Sequence, residues 1–100
     1  MKKESFMEAA LNQAKIAYSL DEVPIGAVVV MNNEIIGRGH NSVISSQSVM
    51  AHAETNAIQD ASNMMQNYRL TNCDLYVTVE PCHMCCMAMV HARIKNVFFG

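Results

Sequence analysis

Long apolar runs are missing from this 100-residue chain. None approaches the ~18 residues that a membrane-spanning helix needs, so no membrane association is expected. The opening Met1-Lys2-Lys3-Glu4-Ser5 is followed by no apolar stretch of the export-signal kind, and a cytoplasmic location is the expectation. Low-complexity segments, internal repeats and linkers are also absent. With 51% hydrophobic and 16% charged residues, the chain has a globular profile and not a disordered one. Nor is there an excess of positive charge: the net charge is −2, which argues against wholesale phosphate binding. A local basic patch could still be built from Lys2, Lys3, Lys15, Arg38, Arg69, Arg93 and Lys95. The length fits one domain, residues 1–100, with a single modest core.

What the chain does have is crowded cysteine. Cys82, Cys85 and Cys86 fall within five residues, while Cys73 stands alone. Without an export signal, such crowding reads as metal binding or redox chemistry before it reads as disulfides.

The periodicity gives a coarse order of elements. Ser5-Phe6-Met7-Glu8 fits a capping box, and Phe6, Ala9, Ala10, Ile16, Ala17 and Leu20 then share one helical face to about Leu20. Asp21 to Pro24 breaks that helix, and Ile25 to Met31 is a valine-rich run expected to be a strand buried on both faces. Asn32-Asn33 suits a two-residue turn into a partner strand from Glu34 to His40, which Gly37 and Gly39 should weaken locally. Asn41 to Gln47 is polar and reads as a loop. A helix from Ala51 to about Met65, a strand from Leu75 to Val79, a helix from Pro81 to Arg93 and a strand at Val97-Phe98-Phe99 complete the pattern. The expected class is a layered α/β domain with a mixed sheet. Most methionines, Met64, Met65, Met87 and Met89 among them, read as core filler, and Cys73 and Cys86 as small buried hydrophobes.

Two short motifs carry chemistry: His52-Ala53-Glu54 and Pro81-Cys82-His83-Met84-Cys85. Catalytic zinc takes three protein ligands and keeps one position for water, and His52, Cys82 and Cys85 meet that count. Both motifs fall at expected helix starts, where the helix dipole favours thiolate over thiol. Glu54 is two residues from His52 and so is not placed to bind the metal beside it. It fits better as the base that takes a proton from the activated water and delivers it to a ring nitrogen and then to ammonia. The pair of motifs is the signature of zinc-dependent nucleobase deaminases. A structural zinc site is the competing reading of C-x-x-C, with Cys86, His83 or His91 as a fourth ligand, but it leaves Glu54 without a purpose. His83 reads as an ordinary polar residue, and His91 and Arg93 as charges suited to a helix C-terminus.

At these residues the chain resembles the bacterial tRNA-specific adenosine deaminases of the cytidine/deoxycytidylate deaminase superfamily. The likeness extends to Glu22-Val23-Pro24-Ile25-Gly26-Ala27-Val28-Val29-Val30, to Met65-Gln66-Asn67-Tyr68-Arg69-Leu70 and to Ala88-Met89-Val90-His91-Ala92-Arg93-Ile94. It implies a cytidine-deaminase-like three-layer α/β/α sandwich, one Zn²⁺ per chain and a homodimer. It also implies hydrolytic deamination of adenosine to inosine at the wobble position of a tRNA anticodon stem-loop. On the same resemblance Asn41 would hydrogen-bond the extruded nucleoside, and Ile25 and Val79 would line the base pocket. By residue type alone, Asn41 is a turn residue and the other two are core residues of strands. Members of the family continue beyond the strand at Val97-Phe98-Phe99, so a C-terminally truncated member is expected, with an apolar strand edge open to aggregation and with its activity compromised. The alternatives are a deaminase of free guanine or cytosine, and an inactive zinc-stabilised RNA-binding fragment.

Overall fold

Small residues set how closely the helices of this protein approach its sheet. The computed structural model describes residues 3–100. Its elements are α1 (Lys3–Ser19), β1 (Gly26–Met31), β2 (Glu34–His40), α2 (Val43–Ser46), α3 (Ala53–Met65), β3 (Asp74–Val77), α4 (His83–Ala92) and β4 (Asn96–Phe99). The strands form one mixed sheet in the order β2-β1-β3-β4. β1 is antiparallel to both neighbours, and β4 runs parallel to β3. On one face, Phe6 and Ala10 of α1 pack on Val28, Val30 and Tyr76. On the other, Ala53, Ala57 and Ala61 of α3 and Cys85 and Met89 of α4 pack on Ala27, Val29, Leu75 and Val77. The result is the three-layer α/β/α sandwich that the family resemblance implied, and β1 is an unbroken apolar run because both its faces are covered.

Asn32 and Asn33 both have positive φ, 52° and 62°, the turn geometry that matches the twist of paired strands. Gly37 and Gly39 do more than weaken β2. A Cβ on Gly37 would strike the α3 backbone at Ala57 and Ala61, and one on Gly39 would strike it at Ala53 and Ala57. Bare backbone on β2 thus lets α3 lie directly on the sheet. Gly26 does the same for α1, where a Cβ would meet Ala10 and Ala14.

Several expectations are corrected by packing. α1 already includes Lys3, so Ser5 and Glu8 lie inside the helix and do not cap it; the Lys3 ammonium sits 4.3 Å from the centre of the Phe98 ring, which ties this turn to β4. The buried stripe of α1 is Phe6, Ala10, Ala14 and Ala17, which leaves Ile16 and Leu20 exposed. The 41–47 segment contains the helical turn α2. β3 stops at Val77, so Val79 falls beyond the strand, and α4 starts at His83 and not at Pro81. Met64, Met65 and Met87 are exposed because Ala53, Ala57 and Ala61 occupy the sheet-facing side of α3, and Cys85, Met89 and Ala92 that of α4; of the four methionines expected in the core, Met89 alone is buried. Cys73 is buried as expected, whereas Cys86 is exposed. β4 is the outermost strand of the described sheet, with Phe99 half exposed. Lys2, one of the residues considered for a basic patch, lies outside the described residues. Among the described residues, no helix is long and apolar enough to cross a membrane.

Candidate metal centre

Two helices begin side by side on one face of the sheet, and each begins at a residue able to bind metal. His52 is the N-cap of α3 and Cys82 the N-cap of α4, both with extended backbone. A proline before Cys82 cannot donate a backbone hydrogen bond, which suits the residue ahead of a cap. Cys85 follows as the third residue of α4, and an N-cap side chain and the third helical residue meet across the first turn. Cys82 and Cys85 are therefore neighbours by cap geometry, and not as two positions within a regular helix. The first hydrogen bonds of the helices run from Asn56 N–H to the His52 carbonyl and from Cys86 N–H to the Cys82 carbonyl, 2.9 Å each.

The His52 Nδ1 atom lies 3.6 Å from the Cys82 sulfur and 3.4 Å from the Cys85 sulfur. All three ligand atoms lie within 4.8 Å of one another. In a tetrahedral zinc site with bonds of about 2.3 Å to sulfur and about 2.0 Å to nitrogen, sulfur and nitrogen stand roughly 3.5 Å apart. The set thus fits one Zn²⁺ per chain. Among the described residues the group has these three donors and no fourth; Cys86, His83 and His91 are not in it. Three donors, with Cys82 on the solvent side and Cys85 buried, match an open site and not a closed structural one.

Electrostatics at the centre point the same way. Burial pushes the Cys85 thiol well above its ordinary range, and the carboxylate of Glu54 and the neighbouring Cys82 push it further in that direction. A buried thiol beside a carboxylate is a poor place for a second negative charge and a good place for a divalent cation, which reverses both effects. Glu54 is the second residue of α3, 3% exposed, with its charge felt at Cys85. The histidine, both cysteines and the glutamate read from the sequence are therefore brought to one place.

A cleft of about 260 Å³ opens beside His52 and is lined by Ile25, Asn41, Val43, Ile44 and Glu22 among others. Ile25 and Asn41 thus line the same cleft as the candidate ligand His52. The residues just before β1 and just after β2 are tied here by the Asn41 N–H, which donates to the Ile25 carbonyl at 3.1 Å. Val79 is not part of that lining; it sits in the bend after β3, 38% exposed.

Three residues of the site were not singled out from the sequence. Glu22 is buried and accepts hydrogen bonds from the backbone N–H groups of Ile44 (3.1 Å) and Ser45 (2.7 Å). The bond from Ser45 leads the effects that hold its carboxyl below the ordinary range, against the opposing effect of burial. Asn56 donates to the His40 carbonyl (2.9 Å) and to Ser42 Oγ (3.0 Å). Thr55 Oγ1 accepts from the His52 N–H at 3.1 Å and donates to the Met50 carbonyl, which fixes the ligand's backbone. Thr55 carried a signal, since a hydroxyl three residues after a helix cap is a capping pattern; Glu22 and Asn56 carried none, because their partners are 14 to 23 residues away.

Comparison with known proteins extends this picture. The model of the family described as the cytidine and deoxycytidylate deaminase zinc-binding region matches residues 1–100. The chain is 48% identical over 95 residues to a tRNA-specific adenosine deaminase of Buchnera aphidicola subsp. Baizongia pistaciae, covering 95% of this chain and 59% of that protein. It is 46% identical over 100 residues to the tRNA-specific adenosine deaminase of Aquifex aeolicus, covering 100% of this chain and 66% of that protein. The chain thus spans less than two thirds of the length of either relative. Among solved structures, a tRNA:A34 deaminase studied for A-to-I editing at the wobble position superposes with a TM-score of 0.96 at 44% identity, over 98% of this chain and 71% of its own. Guanine deaminase from Bacillus subtilis superposes with a TM-score of 0.96 at 39% identity, over 100% of this chain and 64% of its own.

Proposed function

Since the chain belongs to the cytidine and deoxycytidylate deaminase family, we propose that it performs hydrolytic deamination of adenosine to inosine at the wobble position of tRNA. The observation that carries this reading is the convergence of His52 Nδ1 and the Cys82 and Cys85 sulfurs beside the buried carboxylate of Glu54. The names of the similar proteins support the choice of substrate.

In this reading His52, Cys82 and Cys85 hold zinc, which when bound supplies the Lewis acidity that makes a water nucleophilic at neutral pH. Glu54 takes one proton from the attacking water and delivers it to a ring nitrogen of the base, then takes the water's second proton, released as the new hydroxyl becomes a carbonyl, and delivers it to the departing ammonia. Its burial excludes bulk water as a competing proton partner. Asn41 offers an amide for the nucleoside, and Ile25 an apolar flank in the same cleft. Val79 lies outside this cleft, in the bend after β3. The target carbon is unreachable in a stacked duplex, whereas an anticodon loop presents an unstacked base at low cost. The same reading has residues 1–100 as one domain acting in the cytoplasm, as a homodimer, on an anticodon stem-loop.

The test combines metal analysis with an inosine assay on a stem-loop carrying a wobble adenosine. Glu54→Gln should retain about one zinc per chain while turnover falls roughly 10²- to 10⁴-fold, the usual contribution of a general acid–base group. Loss of zinc in Glu54→Gln would overturn the assigned roles. Conversion of free guanine or cytosine, with no action on the stem-loop, would overturn the substrate.

A further inference from the structure

Asn41, Val43 and Ile44 line the cleft beside His52, and they belong to a stretch, residues 41–46, with no buried side chain in its helical turn. Such a segment cannot be held in place by its own hydrophobic packing. What holds it is a set of directed bonds. The Asn41 N–H donates to Ile25, the Ser42 N–H donates to Ala51, and Asn56 donates to His40 and Ser42. At the far end, where α2 begins, the hold comes from Glu22. Its Oε1 accepts from Ile44 N–H and its Oε2 from Ser45 N–H, across 22 and 23 residues of chain. Those two amides lie in the first turn of α2 and have no partner within the helix itself. Ser42, the N-cap of α2, makes no side-chain cap bond, so Glu22 takes that role from a distance.

We infer that Glu22 is a positioning residue for substrate binding: its two carboxylate oxygens hold residues 43–45 so that Val43, Ile44 and Asn41 form one wall of the cleft beside His52. The inference rests on the reading above that the nucleoside occupies this cleft. Glu22 lines the cleft but is not assigned any proton transfer, so its loss should act on binding and not on chemistry. Glutamine has the same shape but only one acceptor oxygen, and its NH₂ would face the second amide donor-to-donor. Glu22→Gln is therefore a sharp probe.

The experiment uses the zinc-loaded protein and three readouts: amide hydrogen exchange, zinc content, and KM and kcat on the stem-loop. In Glu22→Gln, exchange at Ile44 or Ser45 should accelerate roughly 10-fold or more, the scale of losing one bond to a charged group. Zinc content should be unchanged and the β1 amides should stay protected. KM should rise roughly 10-fold while kcat stays within about 2-fold, the pattern of lost uniform binding. Ser45→Pro removes one of the two bonds from the donor side, at a first-turn position whose N–H the helix does not use, and should shift KM in the same direction. It also serves if Glu22→Gln does not fold. Unchanged exchange at both amides, or faster exchange with unchanged KM, would overturn the inference; so would a fall in kcat at constant KM. Failure of the proposed function is separable, because a wild-type protein inactive on the stem-loop sinks that reading and the substrate role of Glu22 with it, while the exchange data still decide whether Glu22 holds the wall.

Discussion

Replacing Gly39 by alanine should damage both the fold and the metal centre, and replacing Gly37 should damage mainly the fold. A Cβ at position 39 would overlap the Ala53 carbonyl and the Ala57 nitrogen, and would lie 2.9 Å from the Asn56 carbonyl carbon. Ordinary contacts of a Cβ begin at 3.4 Å, and every offending atom is backbone, so no side-chain rotation relieves the clash. α3 must move away from β2. Overpacking of this kind costs typically about 1–3 kcal/mol. At about 2 kcal/mol, a domain of this size loses roughly 8–16 °C in Tm. Gly37→Ala pushes on Ala57 and Ala61, one turn further along α3, and should cost a similar amount. The difference lies at the N-cap. The push from position 39 falls on the turn that starts immediately after His52, whereas Cys82 and Cys85 are carried by a different helix, α4. Zinc affinity should therefore fall at least ~10-fold more in Gly39→Ala than in Gly37→Ala, equivalent to about 1.4 kcal/mol. Thermal melts in chelator measure the stability cost, and competition against a chromophoric chelator measures the affinity. A wild-type Tm for Gly39→Ala, or equal zinc affinities in the two variants, would refute the reasoning.

Removing zinc by chelation should lower the Tm of the wild-type protein; metal present at a thousand times its dissociation constant is worth about 4 kcal/mol. Cys85→Ala, which lacks the buried sulfur proposed as a ligand, should show a low Tm that zinc and chelator leave unchanged, and a zinc-dependent Tm in that variant would argue against its role. Glu22 makes a pH prediction. Its carboxyl is held below the ordinary value of 4.5, chiefly by the Ser45 N–H, so the folded state favours the charged form. The stabilisation is then present above the ordinary value and is lost as pH falls through the depressed one. In metal-free protein, the gap in Tm between wild type and Glu22→Gln should narrow as the solution is acidified below about 4.5. A gap that widens on acidification would contradict the sign.

The sequence alone determined the elements whose pattern is local. The valine run of β1, the Asn32-Asn33 turn and the span of β2 were all legible, because strand periodicity and turn chemistry are properties of neighbouring residues. The grouping of His52, Cys82 and Cys85 as a donor set able to hold a metal was legible too, since residue type and spacing state it, and so was the carboxylate proposed as the base, Glu54. Tertiary structure decided what depends on a partner far along the chain. Gly37 and Gly39 read as weak points until α3 was seen to need the space. Met64, Met65 and Met87 read as core until the inward faces proved to be alanines on α3 and Cys85, Met89 and Ala92 on α4. The hydrophobicity of a side chain does not say which side of a helix the sheet will occupy. Glu22 and Asn56 gave no sign of their roles, because a carboxylate or an amide gains meaning only from the backbone groups that folding brings to it. The chemistry of the site was thus written in its residue types, and the shape of the cleft beside it arose from hydrogen bonds across 14 to 23 residues that only the folded chain can make.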